Sequence, residues 1–155
     1  MVSTSVKLPT VADTEGFGRR LGGLVRGGDL LLLAGPLGAG KTALVRGLAE
    51  GLGVTGRVSS PTFVIARVHE PAPGGRGVPL VHVDAYRLGG HLDELDDLDL
   101  DTDLVDAVVA VEWGEGVAER LSEDHLLIRL ERQDDDVRVA HLVPHGAWAE
   151  RELPS

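Results

Sequence analysis

The sequence predicts an α/β fold of three layers, built on a mixed, partly parallel central sheet and closed by a C-terminal antiparallel hairpin. Three observations carry this expectation. Leu30-Leu31-Leu32-Leu33-Ala34 and Val108-Val109-Ala110-Val111 are apolar runs without alternation, the pattern of strands buried on both faces of a parallel sheet. Directly after the first run stands Gly35-Pro36-Leu37-Gly38-Ala39-Gly40-Lys41-Thr42, a GxxxxGK motif completed by threonine, and a helical pattern follows it. Strand, glycine loop and helix in that order make the expected fold P-loop NTPase-like. His125 to Glu131 and Val137 to Val143 are strand-like and flank Gln133-Asp134-Asp135-Asp136, a turn-prone segment that suits the closing hairpin.

The remaining elements follow along the chain. Thr10 to Arg26 reads as a helix that Asp13 can cap, with Phe17, Leu21, Leu24 and Val25 on one face and Gly27-Gly28 ending it. The helix after the glycine loop runs from Lys41 to about Leu52, with apolar residues at Leu44, Val45, Leu48 and Leu52, before Gly51 and Gly53 stop it. Phe63 to Val68 and Leu80 to Asp84 read as two strands of a wide hairpin. Their connection, Pro71-Ala72-Pro73-Gly74-Gly75-Arg76-Gly77, reads as a tolerant surface excursion. From His91 to Asp106 the chain is strongly acidic, with Leu92, Leu95, Leu98 and Leu104 at helical spacing, so helical or 3-10 turns are expected. No repeat or linker divides the chain. Its 155 residues are expected to form a single domain, 1–155, with an ordered core at about 10–145.

Composition narrows the function. With no cysteine, disulfides and thiolate metal sites are excluded. The start of the chain lacks the apolar stretch of a secretory signal and no run approaches a membrane span, so the cytoplasm is the expected location and no membrane partner is expected. A net charge of -10 argues against a broad electrostatic grip on nucleic acid, which makes any RNA contact indirect. Lysine is scarce: Lys7 and Lys41 are the only two among 15 basic residues, and one of them stands in the glycine loop.

That loop carries the chemistry. Its glycines let successive backbone N–H groups face phosphate oxygens, and the following helix directs its positive dipole end to the same place. The nucleotide-binding set is therefore Gly35, Pro36, Leu37, Gly38, Ala39, Gly40, Lys41, Thr42 and Ala43, with Lys41 meeting the β and γ phosphates and the Thr42 hydroxyl reaching Mg²⁺. Such a loop needs acids to hold magnesium and position water. Val81-His82-Val83-Asp84 and Val108-Val109-Ala110-Val111-Glu112 each run apolar positions into a carboxylate, placing Asp84 and Glu112 at the sheet edge where ligands of open α/β sheets bind. Thr62, in Ser60-Pro61-Thr62-Phe63, stands between two readings, a plain turn and a nucleotide-dependent switch loop. Trp113 is open between a core aromatic and a neighbour of the nucleotide.

Taken together, GPLGAGKT at Gly35 to Thr42, SSPTF at Ser59 to Phe63, HVDAYRL at His82 to Leu88 and the Glu112-Trp113 pair make the chain resemble the TsaE (YjeE) family of bacterial P-loop ATPases, which take part in making threonylcarbamoyladenosine in tRNA. The resemblance covers most of the chain. It implies ATP and Mg²⁺ as cofactors, Lys41 and Thr42 on phosphate and metal, Asp84 as a catalytic or metal-associated acid, and Glu112 as a magnesium residue. It also implies that Trp113 lies near the nucleotide and supports Thr62 as a switch-like catalytic residue. The expected partners are the TsaD and TsaB proteins, with tRNA met only through the complex, and ATP turnover resets that complex between cycles. Pro36 departs from the family's usual aspartate in GDLGAGKT. Binding is expected to survive this change, because the variable loop positions contribute mainly backbone.

Two rival readings share the loop: a small-molecule or nucleotide kinase, and a nucleotide-gated interaction module with negligible turnover. The chain is short for a kinase and shows no arginine-rich lid. Other chemistries lack support. Asp97, Asp99, Asp101 and Asp103 resemble a calcium loop, but Thr102 and Val108 occupy its glycine and glutamate positions. The six histidines lack HExxH spacing, and no GxSxG serine is present.

Overall fold

The computed structural model describes residues 4–35, 40–55, 66–84, 106–112, 124–133, 137–151 and 153–154. The strands are β1 (Thr4–Leu8), β2 (Leu30–Ala34), β3 (Ala66–His69), β4 (Leu80–Asp84), β5 (Val108–Glu112), β6 (His125–Arg132) and β7 (Arg138–His145). Two α-helices, α1 (Val11–Leu24) and α2 (Lys41–Leu52), and a terminal 3-10 helix at Gly146–Glu150 complete the described elements.

One seven-stranded sheet runs in the order β1-β7-β6-β2-β5-β4-β3. Its centre, β6-β2-β5-β4, is parallel, while β3 joins one side and β7 and β1 the other in antiparallel pairing. The mixed sheet and the β6–β7 hairpin agree with the sequence reading. Every residue of β2 and β5 is buried, as their unbroken apolar runs require. The face carrying Leu31, Leu33, Ala110, Leu126 and Ile128 packs against Phe17, Leu21 and Val25 at α1 and Leu44, Val45, Leu48 and Leu52 of α2. Pro144, which has no N–H to donate, stands in β7 opposite Leu126 of β6 and beyond the stretch that β1 pairs.

The two helices touch through glycines. A β-carbon on Gly18 would stand 2.2 Å from the Leu44 carbonyl oxygen, one on Gly47 2.0 Å from that of Glu15, and one on Gly51 2.3 Å from that of Arg19. Gly51 therefore does not stop α2 but lets the helices close on each other, and the stop is Gly53, a left-handed C-cap with φ 73°.

The start of α1 also differs from expectation. Thr10 is the N-cap and Asp13 its reciprocal partner in a capping box, each accepting a backbone N–H of the other. The helix ends at Leu24, earlier than Gly27-Gly28, and Leu24 is only half-buried. Its last turn holds no basic residue of its own. Arginines from distant loops serve instead: the Arg76 guanidinium donates to the carbonyls of Gly22 (2.6 Å) and Val25 (2.7 Å), and Arg151 to that of Leu24 (3.1 Å).

Residues 73–77 are exposed, as a surface excursion requires, but the segment is anchored. That loop is fastened to the ends of both helices, with Ala72 N–H donating to Gly53 O, Arg76 N–H to Leu52 O, and a β-bridge between Val54 and Pro71. Near the chain ends, β1 and the 3-10 helix extend regular structure on both sides of residues 10–145. The strand over Phe63–Val68 is seen as Ala66–His69, with 63–65 outside the described residues, as is the acidic stretch 91–105.

Candidate functional site

The C-terminal ends of the parallel strands bring Asp84, Glu112 and the entry to the glycine loop to one edge. Chain order reverses about β2: its helix leads toward β4 on one side, while β5 is followed by β6 on the other. A crevice at such a switch point is where open α/β sheets bind ligands. In register, Leu33 pairs with Glu112 and Glu112 with Asp84, so the last residues of β5 and β4 stand beside the point where β2 enters the glycine loop.

The two ends of the loop explain its glycines. Gly35 has φ 140° and Gly40 φ 102°, both in the region that L side chains rarely adopt. Gly40 is also the N-cap of α2 and makes no side-chain cap hydrogen bond, so the helix begins directly beneath the loop. Lys41 is 5% exposed, and its Nζ donates to the Gly35 carbonyl at 2.7 Å. A buried ammonium folded back across the loop closes it and holds positive charge where phosphate is expected. Thr42 and Ala43 follow in the first turn of α2, both half-buried. Pro36, Leu37, Gly38, Ala39, Thr62 and Trp113 lie outside the described residues, and Asp84 is placed by its backbone.

Glu112 is 4% exposed and its Oε2 accepts from Nε2 of His82, which is fully buried. Alternation along strands explains the meeting. His82 pairs with Ala110, and Glu112, two residues further along β5, returns to the same face, the one covered by the helices. In the sequence His82 is visible only as part of HVDAYRL. Its partnership with a residue 30 positions away needs the register of β4 and β5, which no local pattern gives.

These residues fit a magnesium–nucleotide site. Among the described residues no cluster of three His, Cys, Asp or Glu groups could hold a metal ion unaided. Magnesium bound with a nucleotide does not need one: one or two protein oxygens suffice where phosphates and water complete the octahedron. The buried Glu112 carboxylate and the Thr42 hydroxyl at the start of α2 can supply such oxygens, while the buried Lys41 ammonium and the helix N-terminus suit phosphate. A separate cavity of about 280 Å³ lies at the opposite sheet edge, lined by residues including Asp29, Asp124, Trp148 and Arg151. Its acids are spent on Arg151 and on the Ala147 N–H, so it has no comparable claim.

The model of the family described as threonylcarbamoyl adenosine biosynthesis protein TsaE matches residues 8–140. The chain belongs to the TsaE family. A relative from Streptomyces coelicolor, named tRNA threonylcarbamoyladenosine biosynthesis protein TsaE, is 57% identical over 142 residues, covering 88% of this chain and 95% of its own. The Mycobacterium tuberculosis protein of that name is 56% identical, covering 86% and 82%, and the Bacillus subtilis one 39%, covering 81% and 76%. The crystal structure of Bacillus subtilis YdiB superposes with a TM-score of 0.77 at 31% identity, covering 94% of this chain and 87% of that one. Membership in TsaE thus agrees with the resemblance carried by the motifs, and the YdiB likeness with the predicted fold. No helix among the described residues is long and apolar enough to cross a membrane.

Proposed function

We propose that this TsaE family member is the Mg-dependent ATP-binding and ATP-hydrolysing component of the machinery that makes threonylcarbamoyladenosine in tRNA, acting in the cytoplasm with TsaD and TsaB proteins. The observation that carries the reading is the placement of buried Lys41 at the start of α2, beside the strand ends that bear Glu112 and Asp84. Lys41 and the N–H groups of the first turn bind the phosphates; Thr42 and Glu112 hold the metal; Asp84 serves as the acid that positions water or metal. Magnesium held there by Thr42 and Glu112 would supply positive charge to offset the negative charge that develops on the phosphates during hydrolysis. Thr62 and Trp113 complete the proposed set, as a switch-like hydroxyl and a neighbour of the nucleotide.

Partners and acidity support one another. At a net charge of -10 the chain is poorly suited to hold tRNA itself, so tRNA is reached through the complex. Phosphate release from Mg-ATP, measured with TsaD and TsaB added and withheld, tests the proposal. Weak turnover alone and faster turnover with partners is the expected result. A phosphorylated acceptor in place of free phosphate would make the chain a kinase, and nucleotide binding with no turnover in either condition would make it a gated interaction module.

A further inference from the structure

We propose that His82 is a positioning residue for Glu112, fixing the carboxylate in the orientation in which it meets magnesium. The inference rests on the magnesium reading of Glu112 given above. The pair is buried, with side-chain exposures of 0% and 5%. Stability is a weak reason for it: the other described residues of β5 are all apolar and buried, and replacing a buried ionisable pair by apolar residues of similar volume is often neutral or stabilising. A carboxylate with neither oxygen held rotates about its terminal bond. With Oε2 engaged by Nε2–H, the carboxylate plane is set and Oε1 is the oxygen that His82 leaves to a ligand.

The histidine is itself oriented by its surroundings. Nδ1 is buried with no hydrogen-bond partner among the described residues. The Nε2–H tautomer leaves that nitrogen a bare acceptor and avoids burying an unsatisfied N–H donor. The tautomer that donates to Glu112 is thus the one the burial favours.

The test uses the full chain with Mn²⁺ as a paramagnetic stand-in for magnesium. Mn²⁺ affinity is read by electron paramagnetic resonance with ADP present, and ADP affinity separately in chelator. Three variants are compared: His82→Leu removes the donor, His82→Gln restores an N–H near the place of Nε2, and Glu112→Gln removes the carboxylate. The expected loss of Mn²⁺ affinity in His82→Leu is about tenfold or more, the usual scale for groups that orient a ligand. Metal-free ADP affinity should be unchanged, and His82→Gln should recover most of the loss. Wild-type Mn²⁺ affinity in His82→Leu, or an equal loss in both His82 variants, overturns the positioning role alone. Wild-type affinity in Glu112→Gln overturns the magnesium reading of Glu112 and the inference with it. Should His82→Leu not fold, ¹⁵N NMR of the wild-type imidazole decides: an Nε2-protonated ring upholds the proposal and an Nδ1-protonated ring contradicts it.

Discussion

His69 shows how burial changes what a titratable group does. It is 3% exposed, and desolvation, foremost, holds its pKa below the ordinary 6.5; a hydrogen bond from Nδ1 to the Thr55 carbonyl (3.1 Å) opposes the shift, while His82 and Arg67 add to it. The unfolded chain therefore binds this proton more readily than the folded one. Stability from the shift is complete above about pH 6.5 and declines as pH falls toward the lower folded value. Denaturant titrations from about pH 7.5 to 5 should show a loss of stability on acidification that shrinks in His69→Asn, which keeps a donor toward Thr55; an unchanged slope in the variant would contradict this explanation. Neither His69 nor His82 is legible in the sequence as an individual, because a histidine's burial and partner are set by tertiary register. Gly35, Gly40 and Lys41 are legible, because the geometry that needs them is contained in one loop.

At the scale of elements, the seam between α1 and α2 opposes intrinsic propensity to packing. Replacing a helical glycine by alanine favours the helix by about 1 kcal/mol. A β-carbon on Gly23 would meet nothing within 4 Å, so Gly23→Ala should gain roughly 0.5–1 kcal/mol. Gly47→Ala must instead force a methyl to 2.0 Å from a backbone carbonyl, and displacing packed backbone at a cost of about 1–3 kcal/mol or more outweighs the propensity gain. Opposite signs in paired thermal melts are the expected outcome; equal shifts would show that the seam is looser than described. Helical spacing foretells which apolar side chains face the sheet, but it does not separate a glycine that ends a helix from one that admits a neighbour, and Gly51 is the second kind. β1 does carry a signal of its own. Thr4-Ser5-Val6-Lys7-Leu8 alternates between more and less buried positions, the pattern of a half-buried strand.

Over the whole molecule, the parallel centre of the sheet is legible because strands buried on both faces are written as unbroken apolar runs. Their lateral order is not, since it depends on which crossover each connection takes. Nor is the fastening of residues 71–77 to the helix ends: the gain lies in distant carbonyls that Arg76 satisfies, and composition marks only a proline- and glycine-rich loop. These long-range choices matter to function because they bring Lys41, Glu112 and Asp84 to one edge from three separate strand ends. The proposed ATP hydrolysis is tested most directly by phosphate release from Mg-ATP in wild type and Lys41→Ala, with TsaD and TsaB present and the variant's fold checked by circular dichroism. Turnover in the wild type and none above background in a folded Lys41→Ala is the predicted result; normal turnover in the variant would contradict the account.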